Sequence, residues 1–153
     1  MYQSMEMRRK YIDTKRMPLR ELIELRREEY GRTKNVYSKF MGEIVYFNNK
    51  GFFHATHDGR GKIRSELDQR MRLNLLPDIG DVIKNASSYG APPRMIPKND
   101  KRNTEGKDII FYELFYRFNS RKAVSVIIRK IGNGQLHYYS VRYAKVSATK
   151  KNP

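Results

Sequence analysis

The chain has no cysteine among its 153 residues, so it can form neither a disulfide framework nor a thiolate metal site. That absence fits a reducing cytoplasm, whether the protein's own or that of a target cell into which it is delivered. No apolar run approaches the roughly 20 residues a membrane-spanning helix needs. The N-terminus also lacks the apolar centre of a secretory signal, so the chain is expected to be soluble, with no membrane partner. Acidic residues are scarce: 16 Asp and Glu stand against 32 Lys and Arg, a formal charge of +16. Repulsion of that size within a compact domain calls for a polyanion, and nucleic acid is the natural one.

Aromatic residues are plentiful. Eleven tyrosines and seven phenylalanines argue for a folded core, because disordered chains are poor in aromatics. Residues 1–34 hold ten basic and six acidic side chains and residues 35–153 hold 22 and ten, so the excess charge sits mainly in the later part. Composition and patterning together predict a basic arm over 1–16, one domain over 17–146 and a basic tail over 147–153.

Pro18 followed by Leu19, Leu22, Ile23 and Arg26 reads as a helix closed by Gly31. Residues 43–47 and 52–55 read as short strands around an Asn48-Asn49-Lys50-Gly51 turn. Asp58-Gly59-Arg60-Gly61 reads as a loop. Ser65-Glu66-Leu67-Asp68 resembles a capping box opening a helix, with Leu67, Met71 and Leu75 as its apolar stripe. Pro77 breaks that helix, and Ile79, Val82 and Ile83 suggest a short successor. Residues 87–107 read as a long basic loop. Residues 108–118, 122–131 and 135–143 alternate as strands, the last two joined at Gly132-Asn133-Gly134. The expected class is α+β, with N-terminal and central helices on a curved antiparallel sheet of about four to five strands.

The densest chemistry lies in Phe52-Phe53-His54-Ala55-Thr56-His57-Asp58-Gly59-Arg60-Gly61-Lys62. His54 and His57 are proton shuttles near neutral pH, and Arg60, Lys62 and Arg64 are phosphate ligands. Two histidines with a single adjacent carboxylate fall short of a metal site, so neither metal nor cofactor is expected. Metal-free RNA cleavage needs a base for the 2′-hydroxyl, an acid for the leaving 5′-oxygen and cations for the phosphorane. Either histidine fits either proton-transfer role, and His57 is expected nearer the cleft because Asp58 and Gly59 put it at the mouth of the loop. Tyr138 or Tyr139 and Ser140 would contact phosphate or a base, and Arg64, Arg70, Arg72, Lys130 and Arg142 would bind the nucleic-acid backbone.

The central His-x-x-His-Asp-x-Arg-Gly-Lys segment and the closing Gly-Asn-Gly-Gln-Leu-His-Tyr-Tyr-Ser-Val hairpin resemble the barnase, EndoU, tRNA-cutting colicin and RelE nucleases. The resemblance spans roughly residues 40–145. It implies metal-independent endoribonuclease activity of a toxin or effector from a phage or mobile element. His54 or His57 would be acid or base, Arg60 or Lys62 the phosphate cation, and Ser140 and Tyr139 their partners on the sheet. Barnase-like members also use a glutamate, for which Glu113 is the loose candidate. The implied substrate is RNA, tRNA or mRNA, and an acidic antitoxin or immunity protein would match the charge. The alternative is a non-catalytic nucleic-acid-binding accessory protein of a phage or mobile element. A metal-dependent DNA nuclease ranks third, because the carboxylates are scattered.

Overall fold

A computed structural model describes residues 14–146; most of the N-terminal arm and the C-terminal tail lie outside them. The chain runs α1 (Leu19–Gly31), β1 (Val36–Ser38), β2 (Glu43–Tyr46), α2 (Asn49–Thr56) and α3 (Glu66–Leu75). A 3₁₀ turn (Leu76–Asp78), α4 (Ile79–Asn85), β3 (Ser88–Ile96), β4 (Ile109–Arg117), β5 (Ala123–Ile131) and β6 (Leu136–Ala144) follow. The class is α+β, as expected. The sheet has six strands in the order β1-β2-β6-β5-β4-β3, and it is mixed, because β2 pairs with β6 in parallel.

The core lies between the helices and one face of the sheet. Leu114, Val124, Val126, Ile128 and Leu136 face Leu22, Phe52, Leu73, Ile79 and Ile83. Period-two alternation gives β4 and β5 this apolar face and leaves Phe111, Glu113, Ser125, Ile127 and Arg129 on the opposite one.

Several local expectations are corrected. Residues 52–55 belong to α2, not to a strand. The Asn48 side chain accepts a hydrogen bond from Gly51 N–H (3.3 Å), so the expected turn is a helix N-cap. The stripe on α3 also differs. Its capping box forms, with Ser65 Oγ accepting from Asp68 N–H (3.2 Å), but the buried residues are Gln69, Leu73 and Leu75. Leu67 is 80% exposed. A polar residue can share the buried face because Gln69 Nε2 donates to the Arg64 carbonyl at 2.9 Å.

The expected basic loop is in part β3, an edge strand whose Pro92 and Pro93 fall where the register with β4 slips. Proline is tolerated there, since an edge position or bulge spares the ladder a missing donor. The remaining loop is tied down: Asn103 Nδ2 donates to the carbonyls of Ile96, Pro97 and Lys107 at 2.7–3.0 Å.

Thr14, expected within the basic arm, docks on α3. Buried Thr14 donates to Asn74 Oδ1 (3.0 Å). Arg26, almost wholly buried in α1, donates to the same oxygen (3.2 Å) and to Glu29 (2.7 Å). This fastens α1 to α3.

Candidate active site

The sheet face opposite the apolar core floors a groove of about 1020 Å³. One wall is α2, the loop after it and α3; the other is β3 and the loop that follows. Eight cations line it, Lys50, Arg60, Arg64, Arg72, Arg94, Arg102, Arg129 and Arg142, against the carboxylates of Asp58, Glu105 and Glu113.

His54 lies on α2 in this wall. It is buried, and its ring meets the Tyr139 ring with centroids 4.0 Å apart. Burial first, then the nearby charges of Arg64, Arg129, Lys50 and Arg72, hold its pKa down to about 4. The imidazole is therefore uncharged at neutral pH, able to accept a proton but not to supply one.

Above about pH 6.5 the ring is neutral whether the chain is folded or not, and it contributes nothing. Between 6.5 and about 4 the unfolded chain takes up a proton that the folded chain refuses, so stability falls on acidification. Melting temperature measured from pH 7 down to pH 4 should decline, and His54→Gln should flatten the decline. An unchanged slope in that variant would remove His54 as its cause.

Tyr139 and Ser140 reach the groove through an irregularity. Strict alternation would put them on opposite faces of β6. Instead the register with β5 slips, pairing Ile127 with Ser140 but Ile128 with Tyr138. The extra residue is a β-bulge, a device that re-aims side chains. After it Val141 is buried, while Tyr139, Ser140 and Arg142 all line the groove. Tyr138 is fully within the core, which removes it as a contact for RNA.

Asp68 organises the cations beside Ser140. Burial alone would raise its pKa, but hydrogen bonds and charge from Arg72 and then Arg64 outweigh that and lower it. It accepts from Arg72 Nε at 2.9 Å and from Arg64 Nη1 at 3.1 Å. Arg72 Nη1 in turn donates to Ser140 Oγ (3.0 Å) and to the Val141 carbonyl (3.1 Å). Ser140 Oγ thus accepts from Arg72 and keeps its own proton free to donate. On the floor, the Glu113 carboxylate pairs with Arg142 and accepts from Ser125 Oγ.

The groove thus gathers His54, Arg60, Tyr139, Ser140, Arg64, Arg72 and Arg142, and besides Tyr138 it leaves four candidates outside. His57 stacks on Phe53 with centroids 4.0 Å apart, and its Nδ1 lies 2.8 Å from Thr56 Oγ1. Three residues is just under one helical turn, but α2 ends at Thr56, and the backbone of His57 is already extended. Lys62 is exposed on the neighbouring turn. Arg70 donates to the Met17 carbonyl (2.8 Å) and to Glu66 (3.0 Å), fastening the entry to α1. Lys130 faces Glu43 at 3.8 Å on the other side of the sheet.

The Asp58 carboxylate accepts from the backbone N–H groups of Arg60 (2.8 Å) and Lys62 (3.0 Å), and these bonds lower its pKa. They brace the loop that carries Arg60. Among the described residues, no three His, Asp or Glu side chains converge as a metal site would require.

Arg129, Arg94 and Phe111 line the groove although no motif in the sequence marks them, and Glu113 lines it with only a loose expectation behind it. A signal for three of them was present: Phe111, Glu113 and Arg129 alternate with the apolar core residues of their strands and so share the opposite face. Among the described residues, no helix is long and apolar enough to cross a membrane. No protein-family model, no curated protein and no solved structure matches this chain.

Proposed function

We propose that the groove binds RNA and cleaves it by attack of a 2′-hydroxyl on the adjacent phosphorus, without a metal ion. The observation that carries this is the meeting of an uncharged histidine, His54, with Tyr139, Ser140 and the arginines 64, 72, 129 and 142 in one groove. Chain segments far apart in sequence supply them.

His54 accepts the proton of the attacking 2′-hydroxyl and passes it to the departing 5′-oxygen. The 2′-oxygen–phosphorus bond forms as the bond to the 5′-oxygen breaks, leaving a 2′,3′-cyclic phosphate and a free 5′-hydroxyl. The arginines offset charge growing on the phosphorane oxygens. Ser140, its oxygen held by Arg72, donates to one of them. In this reading the protein belongs with the metal-independent endoribonucleases that its central segment and closing hairpin resemble, and RNA is its partner.

One observation favours a second reading, a nucleic-acid-binding protein without catalysis. Burial, and then four nearby cations, depress the proton affinity of His54, and a base that weak accelerates proton transfer less than one poised near neutrality. Total RNA incubated with purified protein in EDTA separates the readings. Fragments in EDTA are expected. A salt-sensitive mobility shift with intact RNA after hours would establish the binding reading instead.

A further inference from the structure

Four side chains on the floor of the groove form a mixed row of cations and rings. The Arg94 guanidinium lies over the Phe111 ring at 5.1 Å, and that of Arg129 over the Tyr139 ring at 5.0 Å. The Phe111 and Tyr139 rings meet edge to face at 5.1 Å. The register explains the row: Arg94 pairs with Phe111 across β3 and β4, and Phe111 with Arg129 across β4 and β5. The bulge in β6 then brings Tyr139 alongside. Four strands at the usual spacing make the row about 14 Å across.

The arginines in the row differ from their neighbours. Arg64 and Arg72 are paired with Asp68, Arg142 with Glu113 and Arg102 with Asp100. Arg94 and Arg129 have no carboxylate partner among the described residues, and each rests on a ring. Such a cation is open to a phosphate, while rings and guanidinium planes both offer faces on which unpaired bases stack. A duplex keeps its bases stacked on one another and presents mainly backbone.

We infer that the Arg94–Phe111–Arg129–Tyr139 row is a nucleobase-stacking site and that the groove therefore takes a single strand with its bases turned to the sheet. The inference rests on the reading of the groove as a nucleic-acid site, and it adds which form of nucleic acid enters and how it is held. Bases enter against the rings, and the guanidinium groups slide to the flanking phosphates. His54, in ring contact with Tyr139, then lies beside the sugar that follows the stacked bases.

The test uses the full chain and a 2′-O-methyl oligoribonucleotide carrying 2-aminopurine, which cannot be cleaved by 2′-hydroxyl attack. Binding should quench its fluorescence, and an unlabelled duplex of equal length should compete at least tenfold more weakly than the single strand. Phe111→Leu should weaken single-strand binding about tenfold and reduce the quenching, leaving the salt dependence of affinity unchanged. Arg129→Gln should weaken binding and lower the salt slope by about one. Wild-type-like melting temperatures identify the variants as folded. Equal competition by duplex, or undiminished affinity and quenching in Phe111→Leu, would overturn the stacking site while leaving a basic groove that binds backbone. No binding of any strand would overturn both the inference and the proposed function.

Discussion

Replacing Gly51 with alanine is expected to destabilise the protein by about 3 kcal/mol and to abolish the proposed activity at the same time. A Cβ built at Gly51 would stand 2.5 Å from a ring carbon of Tyr138, 2.6 Å from Tyr30 Oη and 2.9 Å from the Tyr138 carbonyl oxygen. None of these can yield cheaply. Tyr138 is buried in the core, Tyr30 Oη donates to the Asn48 carbonyl at 2.6 Å, and the carbonyl is part of β6. Relief would require α2 to lift from the sheet. His54 sits one turn further along that helix, so its 4.0 Å contact with Tyr139 would be lost as well. For a chain of this size the stability loss corresponds to a fall of roughly 10 °C in melting temperature. A fall under about 2 °C, with cleavage intact, would show that α2 does not need this close approach.

Replacing His54 itself is expected to reduce activity without a comparable loss of stability. His54→Ala should slow RNA cleavage by roughly 100-fold or more, the usual contribution of a positioned proton-transfer group. RNA affinity measured in the same buffer should change little, because the uncharged ring adds nothing to the attraction for phosphate. His54→Gln separates chemistry from packing: it fills much of the space against Tyr139 without a comparable proton acceptor. Near-wild-type stability with cleavage still lost is the expected pattern. Equal losses in affinity and rate would instead assign His54 to the shape of the groove. His57→Ala serves as the internal control, since that ring lies outside the groove against Phe53.

Much of this arrangement was legible in the sequence, and what escaped has physical causes. The strands of the last third were visible because alternation and a glycine-rich turn are local signals. The cluster around His54 was visible because its residue types are adjacent in the chain. The role of α2 was hidden: two aromatics after an Asn-Asn-Lys-Gly stretch look like a hairpin. What decides for helix is the Asn48 cap together with the bare Gly51 surface packed on β6.

The bulge at Tyr139 and Ser140 left no local mark either. Alternation alone separates those two residues, whereas the slip in register against β5 unites them. The choice between His54 and His57 likewise rests on where α2 ends. Charged residues facing away from the core of β4 and β5 were a readable signal, yet only the fold shows that Glu113, Arg129 and Arg142 meet α2 and α3 across one groove.

The central claim is that proton transfer at His54 and phosphate clamping at Arg72 act on the same phosphodiester in this groove. Single-turnover cleavage of a labelled oligoribonucleotide in EDTA, compared among wild type, His54→Ala, Arg72→Ala and the double variant, tests it most directly. Groups that work as a unit give strongly non-additive losses, so the double variant should be little slower than the slower single variant. Losses that multiply in full, or RNA left intact by the wild-type protein, would contradict the account.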